Sequence, residues 1–498
     1  MQFFRQVLSF FCSPFSIPDP SAFTGYLSKT IGHVHWLIHS QHSFLVPFLE
    51  QVKDATTATL LATPRVRRHQ YKKMGEFEIT HEGRREPYLV KIYNYPHLLQ
   101  KMKQCFKHTR GFHEFNTTYL ASTRGIPVEV PVACGERKYF FTKESYLIIR
   151  KISHSQSIRE YFRGNTPLKE RRDILRKFGC LAKKMHEAGI QQDAFSLDNF
   201  LVYDENGSKK IIVIDFEMVS VRPKSLPVKL CFWYLAKLNR EKGNFTNTER
   251  IRFLLSYMSY DYAQWKIVAK HIESMTVQIQ KIGAKKVSRL CVRRNKKFGV
   301  FKSVRFHGFY RRTYSKETLE NALHTMEETG KDEISVNHLK ILRLTQNSPS
   351  GSGNRSLKQL WISANILFAL KIDVPVPVGV FKRRFSNGRK KGFLISEMPD
   401  NCIPLSQCHD LFSDQKLLFS LARLAEQVSP FGVLSKDLSC QDILVRTQGN
   451  RTRCYLANYY SFSINWLPGE TNKPINMQTI RNLFQTHQQI NDPRRKRL

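Results

Sequence analysis

Apolar residues recur with two periods along this chain, and each change of period predicts a new element. Up to about residue 62 the spacing predicts helix. From Pro64 it turns to period two: Met74-Gly75-Glu76-Phe77-Glu78-Ile79-Thr80, a turn at Glu82-Gly83-Arg84, then Tyr88-Leu89-Val90-Lys91-Ile92-Tyr93. This is a hairpin whose second strand carries a lysine. A helical stretch through Phe112, Phe115, Tyr119 and Leu120 stops at Gly125-Ile126-Pro127. Strands are predicted at residues 128–134 and 146–152. Ile174, Leu175, Phe178, Leu181, Ala182 and Met185 then follow helical spacing and predict a buried helix ending at Ala188-Gly189. Beyond Asp215, residues 226–238 and 251–258 read as further helices.

The same order then recurs. Residues 356–370 predict a helix leading to Asp373-Val374-Pro375-Val376, which echoes Gly125-Ile126-Pro127-Val128. Residues 392–397 echo the strand at Tyr146, and Leu417, Leu418, Leu421, Leu424 and Val428 repeat the buried helix. Matched positions keep a nearly constant offset: 375 minus 127 is 248, and 437 minus 193 is 244. A chain of 498 residues is too long for one ordinary core, and two modules in tandem account for it. The predicted division is 1–62 helical segment, 63–280 first module, 281–335 basic connecting segment, 336–485 second module and 486–498 basic tail.

Lys plus Arg number 79 against 41 Asp plus Glu, a formal net charge of +38, so the surface attracts anionic partners. Cations are dense from Lys281 to Arg312, and charge alone does not choose among lipid, nucleic acid and phosphorylated substrates. The ten cysteines show no Cys-x-x-Cys and no metal-ligand spacing, which argues against zinc and disulfides and for a reducing, cytoplasmic setting. The apolar residues among the first seventeen are too few to span a bilayer; a helix packed on the domain and a membrane-surface helix both fit them.

The chemistry concentrates in Gln191-Gln192-Asp193-Ala194-Phe195-Ser196-Leu197-Asp198-Asn199-Phe200-Leu201-Val202 and the strand Ile211-Ile212-Val213-Ile214-Asp215. A loop ending in Asp and Asn before a strand, then an apolar strand ending in Asp, is how protein-kinase folds set a base beside two metal ligands. Phosphoryl transfer asks mainly for positioning and charge compensation. We read Asp193 as the base, Asn199 and Asp215 as magnesium ligands, Lys91 as the lysine on the ATP phosphates and Glu114 as its partner. The usual loop places Asn five residues after the base, yet Asn199 is six after Asp193 and five after Ala194. Three arrangements fit: a loop one residue longer, Asp198 as metal ligand, or a lost base. No Gly-x-Gly-x-x-Gly loop precedes Lys91.

In the second module Asp437 and Asp442 keep the five-residue spacing, but Asn458 stands where Asp215 stood. No Glu occurs in the helix at 356–370, and the lysine nearest a matching strand position is Lys340. The expected fold is therefore α+β, two protein-kinase-like bilobal modules in tandem, each a small β-rich lobe plus a helical lobe, with the second degenerate.

On Leu89-Val90-Lys91-Ile92-Tyr93, Glu114, Gly125-Ile126-Pro127, Ala133-Cys134-Gly135-Glu136, Met185-His186-Glu187-Ala188-Gly189-Ile190, Asn199-Phe200-Leu201-Val202 and Ile214-Asp215-Phe216, the chain resembles the lipopolysaccharide kinase (Kdo/WaaP) family. The resemblance covers residues 64–225 well and 355–462 loosely. It implies ATP- and magnesium-dependent phosphorylation of a heptose or Kdo hydroxyl in the lipopolysaccharide core, at the cytoplasmic face of a Gram-negative inner membrane. It assigns Lys91, Glu114, Asp193, Asn199 and Asp215 as the working residues. The implied partners are the glycolipid acceptor and an anionic membrane surface; nucleic acid is not expected. A kinase fold without activity, acting as scaffold or regulator, is the alternative.

Overall fold

The computed structural model describes residues 23–51, 67–69, 72–95, 108–129, 131–138, 142–164, 166–240, 245–336, 338–344, 357–383, 391–408, 414–431, 433–435, 439–448, 451–457, 462–464 and 473–474. The first seventeen residues, Asp437, Asn458 and the basic tail, on all of which the sequence raised expectations, lie outside them. The chain divides into two units, Met1–Thr276 and Val277–Leu498. No helix among the described residues is long and apolar enough to cross a membrane.

The first unit begins with a hairpin, β1 (Tyr26–Ile31) and β2 (Val34–His39), and then a short helix α1 (Leu45–Gln51). This corrects the expectation of helix throughout residues 1–62. Val34, Trp36 and Ile38 pack on Leu45 and Leu49, while Leu37 packs from the opposite face on Phe112 and Phe115. With both faces buried, the strand shows no alternation by which to recognise it.

Next come β3 (Arg67–His69), β4 (Lys72–His81), β5 (Arg84–Asn94), α2 (Arg110–Thr123), β6 (Pro131–Lys138) and β7 (Thr142–Arg150). The strands form one antiparallel sheet in the order β1-β2-β6-β7-β5-β4-β3. Lys91 therefore sits on an interior strand, opposite Leu147 of β7 and Met74 of β4. Helix α2 starts on the Thr109 side chain, which accepts from the Phe112 amide. It ends where Gly125, at φ 73°, lets the Ile126 and Gly125 amides reach the carbonyls of Ala121 and Ser122.

The rest of the unit is β8 (Gln156–Ser157), α3 (Ile158–Arg163), α4 (Leu168–Glu187), β9 (Ile190–Gln192), β10 (Phe200–Glu205), β11 (Ser208–Val213), β12 (Val219–Val221), α5 (Val228–Asn239), α6 (Asn247–Tyr257) and the start of α7 (Trp265–Leu290), whose residues after Thr276 belong to the second unit. Helix α4 buries Ile174, Leu175, Phe178, Leu181, Ala182 and Met185, the stripe its sequence spacing predicts. Gly179 lets α6 come close: a Cβ there would lie 2.5 Å from the Phe253 carbonyl oxygen.

The second unit holds β13 (Phe298–Lys302), β14 (Phe306–Arg311), α8 (Lys316–Thr329), β15 (Glu333–Val336), β16 (Leu339–Leu344), α9 (Leu357–Ala369), β17 (Val376–Arg383) and β18 (Gly392–Glu397). Its sheet order is β13-β14-β17-β18-β16-β15. Residues 281–335 are thus no connector but supply two strands, a helix and most of a third strand to this sheet, because Phe301, Phe306 and Tyr310 pack on one face of it and Phe298 on the other, between the cations. Strand for strand, the order repeats β1-β2-β6-β7-β5-β4.

The likeness continues through β19 (Cys402–Pro404), α10 (Gln415–Val428), β20 (Val433–Ser435), β21 (Ile443–Gln448), β22 (Arg451–Leu456) and β23 (Phe462–Ile464). β21 lies between β19 and β22 as β10 lies between β8 and β11, and β20 pairs with β23 as β9 pairs with β12. From β9 to β12 the offset to the second unit stays at 243 (433 minus 190, 456 minus 213, 464 minus 221).

Candidate active site

Lys91 and Glu114 meet in the interior. The Lys91 ammonium donates to Glu114 Oε1 at 2.5 Å, and both side chains are almost wholly buried. Two residues along β5, on the same face, the Tyr93 hydroxyl donates to Glu114 Oε2. Each oxygen of the carboxylate is therefore occupied. Burial disfavours the Lys91 charge, but Glu114, and then Asp215, outweigh it and hold the ammonium above the ordinary lysine range. An ion pair this deep is costly to break, because either partner alone is an uncompensated buried charge.

Asp215 follows β11 in a left-handed conformation, φ 63° and ψ 70°, which a residue with a side chain adopts at some cost. Two tethers hold it there. The Ile214 amide donates to the Asn199 carbonyl at 2.9 Å, and the Val213 amide to that of Pro127 at 2.9 Å. The Asp215 carboxylate is 42% exposed, so it can still receive a ligand, and its Oδ1 lies 3.8 Å from the Lys91 ammonium. On its other side the Lys72 ammonium stands 3.5 Å from Oδ1 and 2.9 Å from Glu217 Oε2. Arg110 adds a second cation, 3.5 Å from Glu217 Oε1. Helix α2 is fixed to this segment by the Thr117 hydroxyl on the Phe216 carbonyl and by His113 Nε2 at the Val219 carbonyl.

In the loop, Asn199 donates through Nδ2 to the carbonyl of Ala194 at 2.8 Å. Its amide nitrogen thus turns into the loop and leaves the amide oxygen as the remaining acceptor. Asp193 is exposed and turned elsewhere: the Tyr234 hydroxyl donates to its Oδ1 at 3.3 Å and the Lys237 ammonium to its carbonyl at 2.9 Å. Burial, and then Asp193, push the Tyr234 hydroxyl up to about 12. Asp198 is taken by Arg159 at 2.6 Å. Of the five residues named from the sequence, Glu114 and Asp215 both approach the Lys91 ammonium, Asn199 joins Asp215 through the backbone of Ile214, and the Asp193 carboxylate bonds to α5. Lys72, Tyr93, Arg110 and Glu217 were missed. Tyr93 was findable as the next same-face residue after Lys91; Lys72 needed the sheet register.

The register also identifies the corresponding positions in the second unit. Lys91 lies opposite Leu147 on β7, and the position on β18 that matches Leu147 is Leu394, opposite Leu342. The bulges at Pro131/Ala133 and Pro377/Gly379 fix that frame. Leu342, not Lys340, therefore stands where Lys91 stands; Lys340 pairs with Glu333 at 2.6 Å. Helices α2 and α9 end in the same bonds, Ile126 to Ala121 and Ile372 to Leu367, an offset of 246 (372 minus 126), which puts Leu360 at the place of Glu114. At these two positions the second unit has leucines, Leu360 within one apolar cluster and Leu342 packed against it. Asp442, matching Asn199, is buried and accepts from the amide and hydroxyl of Ser439 at 2.8 and 2.9 Å.

Residues 59–257 match the family model of the Lipopolysaccharide kinase (Kdo/WaaP) family. The first unit thus carries the family resemblance read from its motifs. Among curated proteins, a "3-deoxy-D-manno-octulosonic acid kinase" of Haemophilus influenzae (strain 86-028NP) is 26% identical over 139 residues, which is 28% of this chain and 54% of that protein. The chain therefore spans about half the length of this relative of the Kdo/WaaP kinases. Among solved structures, "WaaP in complex with acyl carrier protein" has a TM-score of 0.34 at 17% identity, covering 46% of this chain and 97% of that one. The Rio2 kinase–ADP/Mg2+–phosphoaspartate complex from Chaetomium thermophilum has a TM-score of 0.29 at 11% identity, covering 53% and 83%.

Proposed function

We propose that the first unit binds magnesium-ATP and transfers the terminal phosphoryl group to a sugar hydroxyl, Kdo or heptose, of the lipopolysaccharide core. The single observation that carries this reading is the buried Lys91–Glu114 pair with Asp215 3.8 Å from the same ammonium. Glu114 orients the ammonium, and its charge is available to the nucleotide phosphates. The Asp215 carboxylate is partly exposed and the Asn199 amide oxygen is left as acceptor, a donor set of two oxygens that suits magnesium. Magnesium, when bound, supplies charge neutralisation between phosphate oxygens. Asp193 is the loop carboxylate assigned to the acceptor hydroxyl, and its role requires that the bond from Tyr234 give way. The excess of cations suits a phosphorylated glycolipid and an anionic membrane surface. The second unit, with Leu342 and Leu360 at the ion-pair positions, is assigned a docking or regulatory role without nucleotide chemistry.

A second reading follows from one observation, the hydrogen bond between Asn199 and Ala194. It puts an alanine at the place of the base and favours a nucleotide-binding regulator that transfers nothing. Purified full chain, magnesium-ATP with labelled terminal phosphate and lipopolysaccharide core separate the two. Incorporation into the acceptor that is lost in Asp215→Ala supports the kinase; nucleotide binding without incorporation supports the regulator; absence of both defeats each.

A further inference from the structure

Kinase folds cover the phosphates of the nucleotide with a glycine-rich loop whose backbone amides act as donors. In this chain the strands before the lysine strand are β3 and β4, paired from Arg67↔Met74 to His69↔Lys72. Only Gln70 and Tyr71 remain to join them, and no glycine occurs between Gly32 and Gly75. What the hairpin brings to the site instead is a side chain. Lys72 lies opposite Tyr93 on β5, and Lys91 is two residues before Tyr93, so all three project from one face of the sheet. The Lys72 side chain is only 16% exposed, and its ammonium lies 5.4 Å from the centre of the Tyr93 ring. It reaches Asp215 and Glu217 at 3.5 and 2.9 Å, so Asp215 stands between two lysines.

We propose that Lys72 is a second phosphate-binding lysine, which takes over the task of the missing glycine-rich loop. This rests on the reading that the first unit binds a nucleotide. Without a ligand, Asp215 and Glu217 hold the ammonium in the cleft. When a nucleotide enters, Lys72 exchanges these carboxylates for phosphate oxygens, which leaves the Asp215 carboxylate for the magnesium that it would hold. Glu217 is then the holding group: it keeps Lys72 inside the cleft and competes with the phosphates for it.

The test compares dissociation constants of the full chain for magnesium-ATP and for adenosine, which shares the base and ribose but has no phosphate. Lys72→Met is expected to weaken ATP roughly tenfold or more, the worth of a lost charge-assisted contact, and to leave adenosine within a factor of two. Lys72→Arg should recover most of the loss, and Glu217→Gln should tighten ATP several-fold without changing adenosine. Equal or tighter ATP binding by Lys72→Met overturns the proposal and marks Lys72 as a plug on the site. Weakening of ATP and adenosine alike overturns it as well, since the lysine would then only support the lobe. If the parent chain binds adenosine and ATP equally, the phosphate site fails along with this proposal; if it binds neither, the nucleotide reading itself falls.

Discussion

Asn199 donates its side-chain N–H to the carbonyl of Ala194, five residues before it, at 2.8 Å. Five is the spacing at which kinase loops carry their base, so position 194 is where the usual spacing would put a carboxylate. Ala194→Asp should place a carboxylate there. Initial rates of phosphate incorporation are expected to rise about tenfold or more over the parent, within the range a positioned general base contributes. An unchanged rate would mean that Asp193 already serves.

The buried Lys91–Glu114 pair predicts a separation of stability from binding. Glu114→Ala leaves the ammonium alone in the interior and should cost about 3–5 kcal/mol in denaturant unfolding. The double variant Lys91→Met/Glu114→Leu should recover most of that stability while reducing the preference for ATP over adenosine to what Lys72 alone supplies. In the second unit the corresponding positions hold the apolar pair Leu342 and Leu360.

Burial holds the His186 imidazole down to about 4, against an ordinary value of 6.5, with the Tyr257 hydroxyl at Nδ1. The unfolded chain therefore binds a proton between pH 6.5 and 4 that the folded chain refuses. Stability is complete above pH 6.5 and falls as the pH drops through that window. In His186→Phe, thermal unfolding followed across this range should depend less on pH than in the parent.

Gly189 adopts φ 71°, and a Cβ on it would lie 2.5 Å from the Lys224 carbonyl oxygen and 2.6 Å from that of Arg222. Gly189→Ala is expected to destabilise the first unit by about 2 kcal/mol, combining strain with the forced shift of a neighbour. Because β9 starts at the next residue and leads to the Asp193 loop, turnover should fall further than the melting temperature alone accounts for.

Much of the first unit can be read from the sequence because its elements obey local rules. The stripe of α4, the turn at Gly125 and the apolar strand before Asp215 each declare themselves within a dozen residues. Lys91 and Glu114 were recognisable by their order. The hairpin at residues 26–39 was not, since β2 is buried on both faces and β1 is exposed along its four central residues, so neither strand shows alternation. Nor could sequence spacing decide between Lys340 and Leu342, because the bulge at Pro377/Gly379 enters the frame and only paired strands reveal it. Lys72 stayed hidden for the same reason: its neighbour in space, Asp215, is 143 residues away along the chain.

The repeated strand order has a consequence for counting. Two units with the same strand order suggest two sites, yet the buried ion pair of Lys91 and Glu114 in one is matched by Leu342 and Leu360 in the other. A titration of the full chain with magnesium-ATP should therefore saturate at one nucleotide per chain, and a compound that seeks the lysine will find a single address although the strand order occurs twice.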